Sequence, residues 1–227
     1  MKTIKIRSNA ITLSFGNANI IKIFNMKVKD VLGKDKKLLK LINALGEEPI
    51  SRINSDGKVC EHLVNAIISQ QLSVKVARVI AERFWAMIGT KSKMVDKILA
   101  QEHSDLRACG LSNQKANYII NIANFWKENN IKDKSFQSMS DEEVIKTLVK
   151  IKGVGNWTAE MVLMFCLGRE DVFALDDYGI QVAMKSIYNI DATGKELQQL
   201  MIKKSEKWRP YRTYACMYLW AHKDQPL

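Results

Sequence analysis

No apolar run in this chain approaches the ~20 residues needed to cross a bilayer. The N-terminus, Met1-Lys2-Thr3-Ile4-Lys5-Ile6-Arg7, interleaves charge with isoleucine and has no continuous signal-peptide core. The expectation is a cytoplasmic protein without a membrane partner. Cysteine is sparse as well. Cys60, Cys109, Cys166 and Cys216 form no C-x-x-C pair, which argues against a zinc or iron–sulfur site. The three histidines, His62, His103 and His222, are solitary. No cofactor is expected from side-chain ligands, and all seven residues read as structural or surface positions. Only three prolines occur, so no proline-rich linker marks a domain boundary.

Positive charge is plentiful. Lysine and arginine outnumber aspartate and glutamate by 35 to 24, a net +11. A surplus of that size points to a polyanionic partner, nucleic acid first and an anionic surface second. At 227 residues the chain can bury one good core or two small ones.

Residues 1–30 alternate weakly (Ile4, Ile6, Ile11, Leu13, Phe15) and read as an N-terminal extension with a strand or two. From Asp35 the pattern turns helical. Leu38, Leu41, Ile42 and Leu45 form a stripe, and a second helix covers Glu61 to Gln70. Ser73 and Ser112 stand where helix N-caps are needed. Ser140-Asp141-Glu142-Glu143 and Thr193-Gly194-Lys195-Glu196 have the spacing of capping boxes. Pro210 fits the first turn of a last helix from Tyr211 to about His222. About ten helices result, without a repeat.

Leu148-Val149-Lys150-Ile151-Lys152-Gly153-Val154-Gly155-Asn156-Trp157-Thr158-Ala159-Glu160-Met161 is the most informative stretch. It reads as a helix end, a Gly-Val-Gly turn and a second helix starting near Asn156. Glycines allow positive φ and close approach of another backbone. The amides of the next helix then face outward with the positive end of its dipole, a seat for phosphate. The segment Asp171-Val172-Phe173-Ala174-Leu175-Asp176-Asp177-Tyr178-Gly179 then brings two adjacent carboxylates, the second twenty-two residues past Gly155. Either carboxylate suits the stabilisation of positive charge on a sugar, and either suits the capping of a helix.

In combination these segments resemble the helix-hairpin-helix, Gly/Pro-rich loop and aspartate signature of the DNA glycosylase superfamily, closest to its alkylation-repair branch, 3-methyladenine DNA glycosylase II. The resemblance runs from about Leu38 to Trp220. It implies a mostly α fold of two helical lobes with a catalytic cleft between them. Residues 31–60 and 170–227 would form one lobe. Residues 61–169 would form the other, ending in the hairpin at 148–167.

The resemblance also implies roles. Asp177, second of the pair, would be the catalytic carboxylate. Trp220 matches a pocket tryptophan, with Trp157, Met161 and Tyr178 as further pocket candidates; Met161 stands where one bacterial branch has a tyrosine. Phe136 is a lesser aromatic candidate. Lys152, Gly153, Val154, Gly155 and Asn156 would grip the DNA backbone. Leu72, flanked by Gln71 and Ser73, would wedge into the gap left by an extruded base. Hairpins of this kind hold a Na+ or K+ ion through main-chain carbonyls. Relatives that also nick DNA carry a lysine at the position of Trp157, and indole cannot form a Schiff base.

The expected activity is therefore monofunctional hydrolysis of the N-glycosidic bond of alkylated bases in damaged double-stranded DNA, by a monomer. It would act in the cytoplasm, at the nucleoid if bacterial, or in the nucleus if eukaryotic. A non-catalytic damage-binding protein of the same fold is one alternative. A bifunctional glycosylase–lyase for oxidised bases is another.

Overall fold

The computed structural model describes residues 26–45, 56–90 and 92–224. Of the N-terminal extension expected over residues 1–30, residues 1–25 lie outside them, and residues 26–30 are helical instead of strand, opening the first helix. Every regular element among the described residues is helical. The chain divides into two compact units, the first made of Met1–Asn54 with Gly168–Leu227 and the second of Ser55–Leu167.

The first unit carries α1 (26–32), α2 (Lys36–Leu45), α10 (Tyr178–Tyr188), α11 (Gly194–Ser205) and α12 (Arg212–Asp224). Its main contact is between α10 and α12, and α2 packs on both. Leu38, Ile180, Ala183, Met184, Tyr214 and Leu219 close the core because they recur on one face of their helices. A buried carboxylate organises the rest. Asp35, 3% exposed, accepts from Tyr188 Oη, from Trp208 Nε1 at 3.1 Å and from Lys207 Nζ at 2.8 Å. Its other oxygen takes the amides of Lys37 and Leu38 at the start of α2. Burial alone would raise the Asp35 pKa, but the bonds from Lys207, Tyr188 and Trp208 outweigh it and hold the carboxyl below its ordinary value.

The second unit carries α3 (Val59–Ser69), α4 (Val74–Ile88), α5 (Met94–Leu99), α6 (His103–Ala108), α7 (Asn113–Glu128), α8 (Asp141–Leu148) and α9 (Asn156–Phe165). The helix α3 is central, packing on α4, α7 and α9. It buries Val59, Cys60, Leu63, Val64, Ile67 and Ile68, a stripe too wide for a surface helix. Asp133 opens a 3-10 helix, Asp133–Ser138, and ties it to α3. Its Oδ1 accepts from Trp126 Nε1 at 2.8 Å and the Cys60 amide at 3.3 Å.

The helix starts agree with the sequence in three places and depart from it in two. Ser73 and Ser112 accept from Val76 N and Lys115 N, and Ser140 with Glu143 forms the full capping box. Thr193 makes no side-chain cap, so the second box is absent. Pro210 also falls outside the last helix, which starts at Arg212 after a cis Arg209–Pro210 bond.

Candidate functional site: a capping aspartate and a glycine hairpin

Asp177 is the N-cap of α10. Its φ of −70° and ψ of 121° are extended, and its Oδ1 accepts from Ile180 N at 2.8 Å. The same oxygen accepts from the indole Nε1 of Trp220, on α12, at 2.8 Å. Catalytic candidate and helix cap are thus one residue. Asp176 points elsewhere, exposed and accepting from Gln198 Nε2. The two carboxylates that the sequence left equivalent are separated by their partners.

Gly179 makes the Asp177–Trp220 contact possible. A Cβ there would lie 3.0 Å from Asp177 Oδ1 and 3.1 Å from Trp220 Cδ1. The loop before Asp177 is clamped at its far end by the first turn of α12. Arg212 Nε donates to Asp171 Oδ1 at 2.7 Å, and a second nitrogen donates to the Asp171 carbonyl at 2.6 Å. Thr213 Oγ1 donates to the Arg169 carbonyl and accepts the Val172 amide. One helix, α12, therefore fixes both the loop and the carboxylate it delivers. Sequence reasoning missed Gly179, Asp171 and Arg212. A glycine in the first turn of a helix was the available signal, since glycine there is poor for helix formation. The Arg212–Asp171 pair, 41 residues apart, leaves no local trace.

The hairpin between α8 and α9 has two unlike glycines. Gly153 has φ +107°, and a Cβ there would fall on the Tyr118 ring, so both conformation and space require glycine. Gly155 has an ordinary φ of −97°, and a Cβ would meet nothing within 4 Å. The sequence expectation of positive φ holds at the first glycine and not the second. Val154 is buried and its amide closes the turn onto the Ile151 carbonyl at 3.0 Å. Lys152 is exposed, and its carbonyl accepts from Asn121 Nδ2. Gly155 and Asn156 are exposed, and Gly155, the N-cap, has no side chain to bond the first-turn amides of α9. Trp157 is 42% exposed, whereas Met161, one turn on, is buried at 9%.

Leu72 is 37% exposed in the loop between α3 and α4. Gln71 before it has φ +57°, a left-handed conformation that costs a non-glycine residue about 1 kcal/mol. Ser73 caps α4. Phe136 is fully buried and stacked on Trp126, a core residue. Among the residues expected in the site, Asp177, Tyr178 (76% exposed) and Trp220 are brought together in one unit. The hairpin, Trp157, Met161 and the Gln71–Ser73 loop belong to the other.

This hairpin and its later aspartate match a known family. A profile described as HhH-GPD superfamily base excision DNA repair protein fits residues 64–210. The chain belongs to that superfamily. Among relatives, YfjP of Bacillus subtilis is 35% identical over 73% of this chain, which spans 59% of YfjP. DNA-3-methyladenine glycosylase 1 of Schizosaccharomyces pombe is 32% identical, over 83% of this chain and 82% of that protein. Among solved structures, the S. pombe 3-methyladenine DNA glycosylase Mag1 in complex with abasic DNA superposes with a TM-score of 0.74 at 30% identity, covering 88% of this chain and 98% of Mag1.

Proposed function

We propose that this chain is a monofunctional DNA glycosylase. It would hydrolyse the N-glycosidic bond of alkylated bases of the 3-methyladenine and 7-methylguanine type and so initiate base-excision repair. The observation that carries the reading is the Asp177 carboxylate, aimed by the Ile180 amide and the Trp220 indole. The names of the S. pombe relatives, and the abasic DNA bound to one of them, support the substrate class.

In this mechanism the bond between the anomeric carbon and the base nitrogen breaks first or fastest, leaving positive charge on the sugar. The Asp177 carboxylate stabilises that charge and orients the water that replaces the base. An alkylated purine is electron-poor and already a good leaving group. Trp220 has a second role beyond the pocket lining expected of it, because its N–H fixes the catalytic oxygen.

Backbone phosphate would sit on the outward amides of Gly155 and Asn156, beside Lys152. No group of three or more His, Cys, Asp or Glu among the described residues is arranged to hold a metal. The ion we propose at the hairpin is Na+ or K+ on main-chain carbonyls, which as neutral donors supply no charge to hold a divalent ion. The Lys152 carbonyl spends one lone pair on Asn121 and retains another. We further propose that the protein acts as a monomer on duplex DNA. No helix among the described residues is long and apolar enough to cross a membrane.

The test is the fate of a duplex carrying one alkylated base. Hydrolysis without lyase action yields an intact strand that breaks only after hot alkali, and borohydride traps no protein–DNA adduct. A trapped adduct would establish a lyase and remove the monofunctional reading.

A further inference from the structure

Lys115 lies on α7, yet its ammonium works at the far end of α3. Nζ donates to the carbonyl of Ile68 at 2.9 Å and to that of Gln70 at 2.7 Å. The last carbonyls of a helix lack partners within it, and a cation there satisfies both the lone pairs and the dipole. The group is partly buried, and that burial lowers its pKa from the ordinary lysine value.

Immediately after Gln70 comes the loop with the unusual backbone. Gln71 takes φ +57° and Leu72 turns outward. Ser73 then caps α4 through Val76 N. The loop is pinned at one end by Lys115 and at the other by a helix cap, with the disfavoured residue between the pins.

We propose that Lys115 is a positioning residue for DNA insertion: by holding the Gln70 carbonyl it keeps Gln71 in the left-handed conformation that presents Leu72. The cost of shaping the wedge is then met when the protein folds, and DNA meets a rigid, preformed apolar tip. Lys115 touches neither the base nor the sugar. Its effect is confined to the step in which Leu72 enters the duplex. The proposal rests on the reading of Leu72 as the wedge.

The experiment measures binding to two duplexes, one undamaged and one carrying a tetrahydrofuran abasic analogue with 2-aminopurine beside it. Lys115→Met keeps the aliphatic stem and removes the ammonium. It is expected to weaken binding to the abasic duplex about ten-fold and to quench the 2-aminopurine response. Affinity for the undamaged duplex should stay within about two-fold, since the hairpin grip is untouched. Adding Gln71→Gly, which takes positive φ freely, should restore most of the loss. Gln71→Val leaves Lys115 intact but resists positive φ. It should reproduce the Lys115→Met defect, which tests the idea even if Lys115→Met folds poorly.

Equal loss on both duplexes, no loss on the abasic one, or failure of Gln71→Gly to restore binding would overturn the proposal. Leu72→Ala separates the two layers. If it binds the abasic duplex as wild type does, the wedge reading itself fails. If it weakens binding while both Lys115→Met and Gln71→Val do not, only the role of Lys115 fails.

Discussion

At the scale of single residues, three aspartates each accept an indole N–H, and their surroundings give them different work. Asp177 meets Trp220, Asp35 meets Trp208 and Asp133 meets Trp126. Burial pushes the Asp133 carboxyl above its ordinary value despite its two donors, whereas Lys207 and Tyr188 help hold Asp35 below it. A depressed folded-state pKa adds stability above the unfolded value near 3.8, and that stability is lost as pH falls through the folded value. Asp35→Asn should therefore cost about 2–4 kcal/mol near neutrality. The gap in Tm to wild type should close in acid, as thermal melts across pH will show. Trp220→Phe keeps a ring in place but removes the donor to Asp177. A fall in single-turnover base release of about 10–100-fold is expected, the scale of losing one hydrogen bond to a charged group. The Asp176-Asp177 pair stood out in the sequence because it follows a hairpin at a set spacing, and the family resemblance alone chose Asp177 of the two. Its indole partner was read as pocket lining, because helix periodicity places Trp220 on α12 without saying which atom its N–H meets.

At the scale of elements, the hairpin offers a comparison between two glycines two residues apart. Gly153→Ala meets positive φ and the Tyr118 ring together, and should lower stability by about 2 kcal/mol or more. Gly155→Ala has an allowed φ and open space in the free protein. It should leave Tm unchanged while weakening DNA binding several-fold, because the added methyl would crowd the phosphate seat proposed at Gly155 and Asn156. Equal destabilisation by both variants would show that Gly155 serves the fold alone. The capping box at Ser140 was legible because its pattern is local, i to i+3. The same spacing at Thr193 misled, since Thr193, though extended, makes no side-chain bond to the first turn. The short helices α5 and α6 went unread; six residues are too few for a 3.6-residue period to declare itself.

At the scale of the whole molecule, composition spoke to the class of partner and family resemblance to the architecture. The net +11 is distributed over both units. In the unit that carries Asp177, the ammonium groups of Lys37, Lys204 and Lys207 lie 5.5, 4.8 and 6.0 Å from the centre of the Tyr188 ring. Binding to undamaged duplex should weaken with salt at a slope of about −0.9 per phosphate neutralised. A slope shallower than about −2 would mean that the charge surplus is not a DNA surface. Long-range pairings such as Arg212 with Asp171 and Lys115 with Gln70 were beyond reach, because nothing in a linear pattern says which distant loop a cation will pin. Free base released from methylated duplex DNA reads out whether Asp177 drives the loss of an alkylated base. Wild type and Asp177→Asn should be run in parallel, because asparagine caps a helix as well as aspartate does and can still accept the Trp220 N–H. Release of 3-methyladenine or 7-methylguanine by wild type, with a drop of about 10²–10⁴-fold in the variant at preserved DNA affinity, is the predicted result. Equal release by both proteins would contradict it.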